Sequence, residues 1–185
     1  GVTTFFLKHD IDTGDIIDRR SIPINPEDNV GDIHDRLMML GAELTIDTVQ
    51  RILDGNLTTT PQDELTKGVE PTPAPKIFKE TCHIDWTRNA RDIHNLVRGL
   101  SPYPAAWCEL VSPDNDIKTI KIFTTAVTDD DASAEPGTIK SDNHRMLIAC
   151  GDKWLEVLSL QLSGKRRMDT AEFLRGFNPA AYKAQ

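Results

Sequence analysis

Long apolar runs are missing from this chain: none approaches the ~20 residues that a membrane-crossing helix needs, which excludes a helical membrane protein. Cysteine is scarce. Cys82, Cys108 and Cys150 are odd in number, lie far apart and form no CxxC pair. A disulfide framework is thereby excluded, and reduced, buried thiols in a cytoplasmic protein are expected. Positive charge is in deficit, since Lys+Arg 21 against Asp+Glu 29 leaves a net charge of -8. No global basic field advertises a polyanion, so any such partner must meet a local patch. The five histidines show no HxxxH or Cys/His spacing for zinc, and Asp129-Asp130-Asp131 lacks the alternating ligands of a calcium loop, so no metal is expected. Serine-nucleophile motifs and phosphate-cradling glycine loops are absent too. There is also no initiator Met before Gly1-Val2, and the chain is expected to be cut from something longer.

What is present is the ordinary mix of a globular protein, 38% hydrophobic and 27% charged over 185 residues. Residues 2–7 are β-branched and aromatic and read as a buried strand. Residues 16–24 alternate polar and apolar with Pro23 near the end, as an edge strand does. Val30, Ile33, Leu37, Leu40, Leu44, Thr48, Val49, Ile52 and Leu53 then line one face of a long helix, with Asn29 to cap its start and Gly55 its end. Residues 56–80 carry Pro61, Pro71, Pro73 and Pro75 among polar residues and read as an extended linker. Beyond it a helix over residues 88–100, with Thr87 as N-cap, is stopped by Ser101-Pro102-Tyr103-Pro104. Five strand-like runs follow, at residues 105–111, 117–127, 137–140, 145–150 and 154–162, with a hairpin turn at Gly151-Asp152. Short antiparallel strands with one or two helices suggest a Greek-key barrel of the OB kind, and Asp169 or Thr170 can cap a last helix.

Two stretches can carry chemistry. Asp12, in Ile11-Asp12-Thr13-Gly14-Asp15, sits where a strand end presents a loop; a carboxylate there can accept a proton or fix the charge of a histidine. The same residues also suit a plain tight turn. The triplet Asp-Thr-Gly occurs in aspartic proteases, but those need two copies and an apolar lead-in, whereas this chain has one copy preceded by His9-Asp10. Lys165, Arg166 and Arg167 form a basic loop after the last long strand, either a solvated turn or an electrostatic footprint for phosphate. Trp86, Trp107 and Trp154 suit core anchors better than base-stacking platforms.

In order and spacing the chain resembles the C-terminal two-thirds, roughly, of the methionyl-tRNA formyltransferases. The resemblance runs from Gly1-Val2-Thr3-Thr4-Phe5 and Ile11-Asp12-Thr13-Gly14-Asp15-Ile16-Ile17 through Ile84-Asp85-Trp86 and Ser101-Pro102-Tyr103-Pro104. It continues with Pro136-Gly137-Thr138-Ile139 and ends with Leu158-Ser159-Leu160-Gln161 and Gly164-Lys165-Arg166-Arg167-Met168. It implies an α+β chain: a remnant of a Rossmann-like formyltransferase domain, two strands and a long helix over residues 1–55, then the linker at 56–80, then an OB-like β-barrel domain contacting tRNA at 81–185. It implies formyl transfer from 10-formyltetrahydrofolate to the α-amine of methionyl initiator tRNA, in the cytoplasm. Of the family's Asn, His and Asp, only the Asp has a counterpart, Asp12; the Asn, the His and the main folate motif are expected in a segment before Gly1. Lys165, Arg166 and Arg167 become the expected tRNA contacts. The chain alone is therefore expected to be inactive, and its unaccompanied strands to favour self-association. A stand-alone OB-type RNA-binding module and a formyltransferase acting on a sugar nucleotide amine are the alternatives.

Overall fold

The computed structural model describes residues 1–68, 70 and 72–185. The chain divides into two units, residues 1–28 with 32–76, and residues 29–31 with 77–185. Pro71, one of the four prolines behind the linker expectation, lies outside the described residues.

In the first unit β1 (Val2–Phe5) pairs antiparallel with β2 (Ile16–Arg20), setting Val2 opposite Arg20 and Thr4 opposite Asp18. The expected buried strand over residues 2–7 is corrected here: it stops at Phe5, and Leu7 is 87% exposed. The physical reason is a lack of cover, because β1 has one neighbouring strand, β2, in its sheet. Helix α1 (Val30–Leu53) runs where the apolar spacing expects it. It buries Leu44 and Thr48, and the Thr48 hydroxyl meets that of Thr4 at 2.9 Å, tying helix to strand. Gly55, at φ 67°, ends it. The Gly55 N–H reaches Ile52 O at 3.2 Å and the Asn56 N–H reaches Arg51 O at 3.1 Å, the paired bonds of a Schellman close. After the turn, Thr60 exchanges two 2.8 Å backbone bonds with Ile16, and the short helix α2 (Gln62–Leu65) follows.

The second unit has a 3-10 turn at Glu80–Cys82 and then α3 (Ala90–Leu100). Its cap is Asn89, whose Oδ1 accepts the Asp92 N–H at 2.8 Å, rather than the expected Thr87. Thr87 is already held by Asp85, donating its hydroxyl at 2.6 Å and its N–H at 3.0 Å to the same carboxylate oxygen. Those bonds hold the Asp85 carboxyl below the usual range. The strands are β3 (Ala106–Val111), β4 (Ile117–Asp131), β5 (Ile139–Ser141), β6 (Met146–Ala149), β7 (Lys153–Leu162), β8 (Met168–Asp169) and β9 (Lys183–Ala184), with α4 (Thr170–Leu174) after β8. The first five overlap the expected runs, but β4 continues through Asp129–Asp131, which read as a loop, and β5 starts two residues late at Ile139. Two-residue β8 and β9 carry no periodicity a sequence reading could use. Capping of α4 by the Asp169 side chain does not occur, and the Thr170 hydroxyl instead donates to Val157 O at 2.5 Å.

All pairings are antiparallel, in the order β5-β6-β7-β4-β3-β9, with β8 beside β7. The two ends of that order then meet. Thr138, just before β5, bridges Lys183, and the Ala184 N–H donates to Gly137 O at 2.9 Å, nearly closing the sheet into a barrel. Inside lie Ile120, Ile122, Leu110, Met146, Ile148, Leu155, Val157 and Leu160, with Ile93 and Val97 of α3 and Trp86 completing the core. Cys82, Cys108 and Cys150 are free and buried, as the sequence expects, and burial pushes Cys108 and Cys150 up to about 12.

Gly137 sits at the closure with φ 85°, and a Cβ there would fall 2.1 Å from Ala184 O. Gly137→Ala is expected to destabilise the second unit by about 2 kcal/mol or more, from left-handed strain and a lost closing bond together. Urea unfolding followed by tryptophan emission checks it; an unchanged midpoint would mean the closure contributes nothing.

Candidate functional site

Asp12 lies in the β1–β2 connection, at φ 58° in a turn. The turn is braced from behind. Thr13 donates its hydroxyl to Asp10 O at 2.9 Å, and Gln62 Nε2 donates to Asp12 O at 2.7 Å and Gly14 O at 2.8 Å. Gly14 is buried where a Cβ would sit 1.4 Å from Phe6 O, so no side chain fits. The neighbouring Asp15 carboxylate pairs with Lys8 at 2.7 Å. The Asp12 side chain is exposed and has no hydrogen bond or ion pair among the described residues; His9, also exposed, makes none to it. A fixed backbone thus holds out a solvated carboxylate. Gln62 belongs to the stretch whose composition reads as a linker, and nothing in the sequence signals that it clamps the Asp12 turn.

The basic loop treats its three cations differently. Gly164 turns the chain at φ 76°, the Lys165 N–H closes onto Leu162 O at 2.9 Å, and Gln161 Nε2 donates to Lys165 O at 2.7 Å. The Lys165 ammonium has no partner among the described residues. Arg166 is paired with Glu172 of α4. Arg167 lies over the Phe123 ring, its Cζ 4.5 Å from the centroid, donating through Nε to Ser159 Oγ at 2.9 Å and through Nη2 to Thr124 Oγ1 at 3.4 Å. All three remain solvent-exposed, and Arg166 and Arg167, though not Lys165, line a shallow depression with Thr124, Ser159 and the carboxylates of Asp169 and Glu172.

Phe123 reaches this position because β4 slips register against β7 between Ile122 and Thr124, which leaves Ile122 and Phe123, adjacent in sequence, both buried. A bulge re-aims the residue that strict alternation would have turned outward, and the guanidinium covers its ring. Arg167 is thereby preorganised, with charge left for an anion in front of it, whereas Arg166 is largely compensated. Phe123 and Thr124 went unnoticed in the sequence, and Ser159 was singled out there only as part of a motif, because a register slip leaves no mark in it. Among the described residues no group of His, Cys, Asp and Glu is placed to hold a metal.

Residues 76–178 match the family described as formyl transferase, C-terminal domain. The chain belongs to that family. It is 49% identical over 96% of its length to a methionyl-tRNA formyltransferase of Bacteroides fragilis and 47% identical over 96% to one of Phocaeicola vulgatus. The chain spans about half the length of these relatives, 55% in each case, and corresponds to their C-terminal part. In fold it is similar to HypX from Aquifex aeolicus, solved with tetrahydrofolic acid: TM-score 0.66, 17% identity, 93% of this chain and 29% of that one. It is also similar to WlaRD, a sugar 3N-formyl transferase, at TM-score 0.59 and 18% identity over 89% of this chain and 55% of that one. The matched formyl transferase region contains the whole basic loop and the barrel from β3 to α4, while Asp12 lies before it.

Removing the clamp tests how the Asp12 turn is held. Gln62→Ala deletes two hydrogen bonds to backbone carbonyls, each worth about 1 kcal/mol net at most. Faster amide exchange and earlier proteolysis within residues 9–15 are expected, with little change in overall stability. Unchanged protection there would mean that the turn holds itself.

Proposed function

We propose that this chain is the C-terminal part of a methionyl-tRNA formyltransferase, which as a whole moves a formyl group from 10-formyltetrahydrofolate to the α-amine of methionyl initiator tRNA in the cytoplasm at the start of translation. The observation that carries the reading is the 49% identity, maintained over 96% of the chain, to an enzyme of that name. Likeness to the sugar formyl transferase is much weaker at 18% identity. In this reading residues 1–55 are the remnant of a Rossmann-like catalytic domain, residues 56–80 are the linker, and residues 81–185 are an OB-like domain that contacts tRNA.

Amine attack on a formyl carbon builds negative charge on oxygen and releases a proton from nitrogen, so the reaction needs a group that stabilises an oxyanion and one that handles the proton. Asp12 is the proposed catalytic residue on the proton side. Its carboxylate can take a proton directly or hold the charge of a histidine placed against it, and its braced turn keeps it in place without another anion's or cation's claim on it. The folate donor is a substrate of the whole enzyme. An exposed turn bearing Asp10 and Asp12 is no slot for a pterin ring, and no residue of this chain is assigned to hold the donor. The 185-residue chain by itself is accordingly proposed to have no useful turnover.

The tRNA is proposed to meet Lys165, Arg166 and Arg167 through backbone phosphate, with Arg167 the strongest contact because Phe123 and Ser159 hold it ready. Phosphate contacts position a duplex without reading its sequence, so this loop sets affinity more than choice of tRNA. Self-association of the chain is proposed from its first unit, where Leu7, Ile11 and, on α1, Met39, Ile46 and Leu53 are exposed. Sedimentation should then reveal a concentration-dependent dimer or larger species; a strict monomer would count against it.

In a full-length enzyme, Asp12→Asn should preserve the fold and lower kcat by ~100-fold or more, as loss of a positioned proton-transfer group does. A rate within threefold of the parent would remove Asp12 from the chemistry. Replacing Lys165, Arg166 and Arg167 together with Ala should weaken tRNA binding and flatten its salt dependence by roughly 0.9 in logarithmic slope per lost contact to duplex phosphate. Equal binding at low and moderate salt would make the loop merely solvated.

A further inference from the structure

A second feature of the barrel unit lies away from the basic loop. Ile77, Phe78, Tyr103, Pro104 and Trp107 wall a cleft of about 380 Å³. Among the described residues its charged lining consists of two lysines, Lys79 and Lys121, and no carboxylate lines it. In a chain of net charge -8, that is a local reversal of sign. Large apolar side chains stand open to water here, with Tyr103 82% and Ile77 55% exposed. Such exposure in one place marks a surface meant to be covered.

Several of the walls are tied to one another. Trp107 donates its indole N–H to Lys79 O at 2.9 Å, carries the Lys79 ammonium 5.0 Å from its ring centroid, and meets the His83 ring edge-on at 4.4 Å. Lys121 donates to Pro104 O at 3.2 Å, fixing the loop that bears Tyr103. Just after that loop, Ala105 is buried at φ 72°, a left-handed conformation costly for alanine. The strain sets Tyr103 and Trp107 on one cleft, and backbone strain held by its surroundings collects at functional surfaces.

We propose that this cleft takes an unpaired base of an RNA strand, stacked against Tyr103 and Trp107, with Lys79 and Lys121 against the flanking phosphates. Aromatic faces beside ammonium groups are the equipment for single-stranded nucleic acid, because every base offers a π-face and every linkage a negative charge. An apolar peptide would cover the rings and leave the two cations without an anion. The inference rests on the proposal that the partner is an RNA, and it adds a contact to unpaired nucleotides that a phosphate-binding loop does not supply.

A uridine hexamer, a blunt-ended RNA duplex of equal length and methionyl initiator tRNA serve as probes, read by tryptophan emission and by anisotropy of labelled RNA. Trp86 and Trp154 are each only 4% exposed, so quenching by a stacked base reports on Trp107. The hexamer is expected to quench and the duplex not to. Tyr103→Ala, at a site exposed enough to leave the fold intact, should weaken the hexamer about tenfold without altering its salt slope. Lys121→Gln should reduce that slope by ~0.7. The proposal is overturned if the hexamer does not quench, if Tyr103→Ala binds it as tightly as the parent, or if vesicles of anionic phospholipid quench where the hexamer does not. Transfer RNA that binds without quenching and without response to Tyr103→Ala sinks this cleft but leaves the RNA partner standing. Hexamer stacking with no tRNA binding does the reverse.

Discussion

Where the last two residues of the sheet order meet the first, the barrel has to bring two backbones within hydrogen-bonding distance, and Gly137 is the residue that permits it. The Ala184 N–H reaches Gly137 O at 2.9 Å, while any Cβ at that glycine would collide with the Ala184 carbonyl. This near-closure shortens the open edge between β5 and β9, which matters because an open edge recruits other chains. Within the same sheet, the pairing of β4 and β7, the two longest strands, is interrupted by register slips. Those slips turn Phe123 to where Arg167 can cover it. The most ordered cation of the basic loop is thus a consequence of how the sheet bends.

The two units differ in the quality of their packing, and the difference follows from how many layers each has. The barrel closes on itself and receives α3, so its alternating residues find partners on every side: Ile120, Ile122, Leu110, Met146 and Leu155 are fully buried. The first unit has two strands and one long helix, and its apolar residues outnumber the surfaces able to cover them. Its order comes from specific polar ties, the Thr4–Thr48 hydroxyl pair, the Thr60–Ile16 bridge and the Gln62 clamp. Such ties fix geometry well while adding little free energy, since each exchanges a bond to water for a bond within the protein. A turn built on them is accurately shaped and weakly supported, and it leaves the Asp12 carboxylate exposed.

Much was legible before any coordinates. Five barrel strands, the long helix with its glycine close, the buried free thiols and the family resemblance follow from periodicity, turn chemistry and motif order. Periodicity is legible because burial on one face imposes it residue by residue. Asp12 and the Lys165–Arg167 loop could be singled out as candidates because charge and turn residues cluster there. Other features had no local signature. Thr87 lost the α3 cap to Asn89 through a competing bond to Asp85, and Phe6 and Leu7 stayed exposed because burial of a strand needs a neighbour that the strand's own residues do not specify.

Residue pattern alone therefore determined the long helix, α3, the five longer barrel strands and which loops carry charge, since those properties depend on a residue and its near neighbours. Tertiary structure alone decided which of three adjacent cations is preorganised, which is compensated and which is free of a partner among the described residues. It also decided that a glutamine from an apparent linker braces the Asp12 turn, and that Tyr103 and Trp107 share a cleft with two lysines. The physical reason is distance along the chain. Gln62 acts on residues 48 and 50 positions away, and Arg167 donates to a hydroxyl 43 positions away. Partners that remote are brought together only by the register of strands and the closure of the barrel.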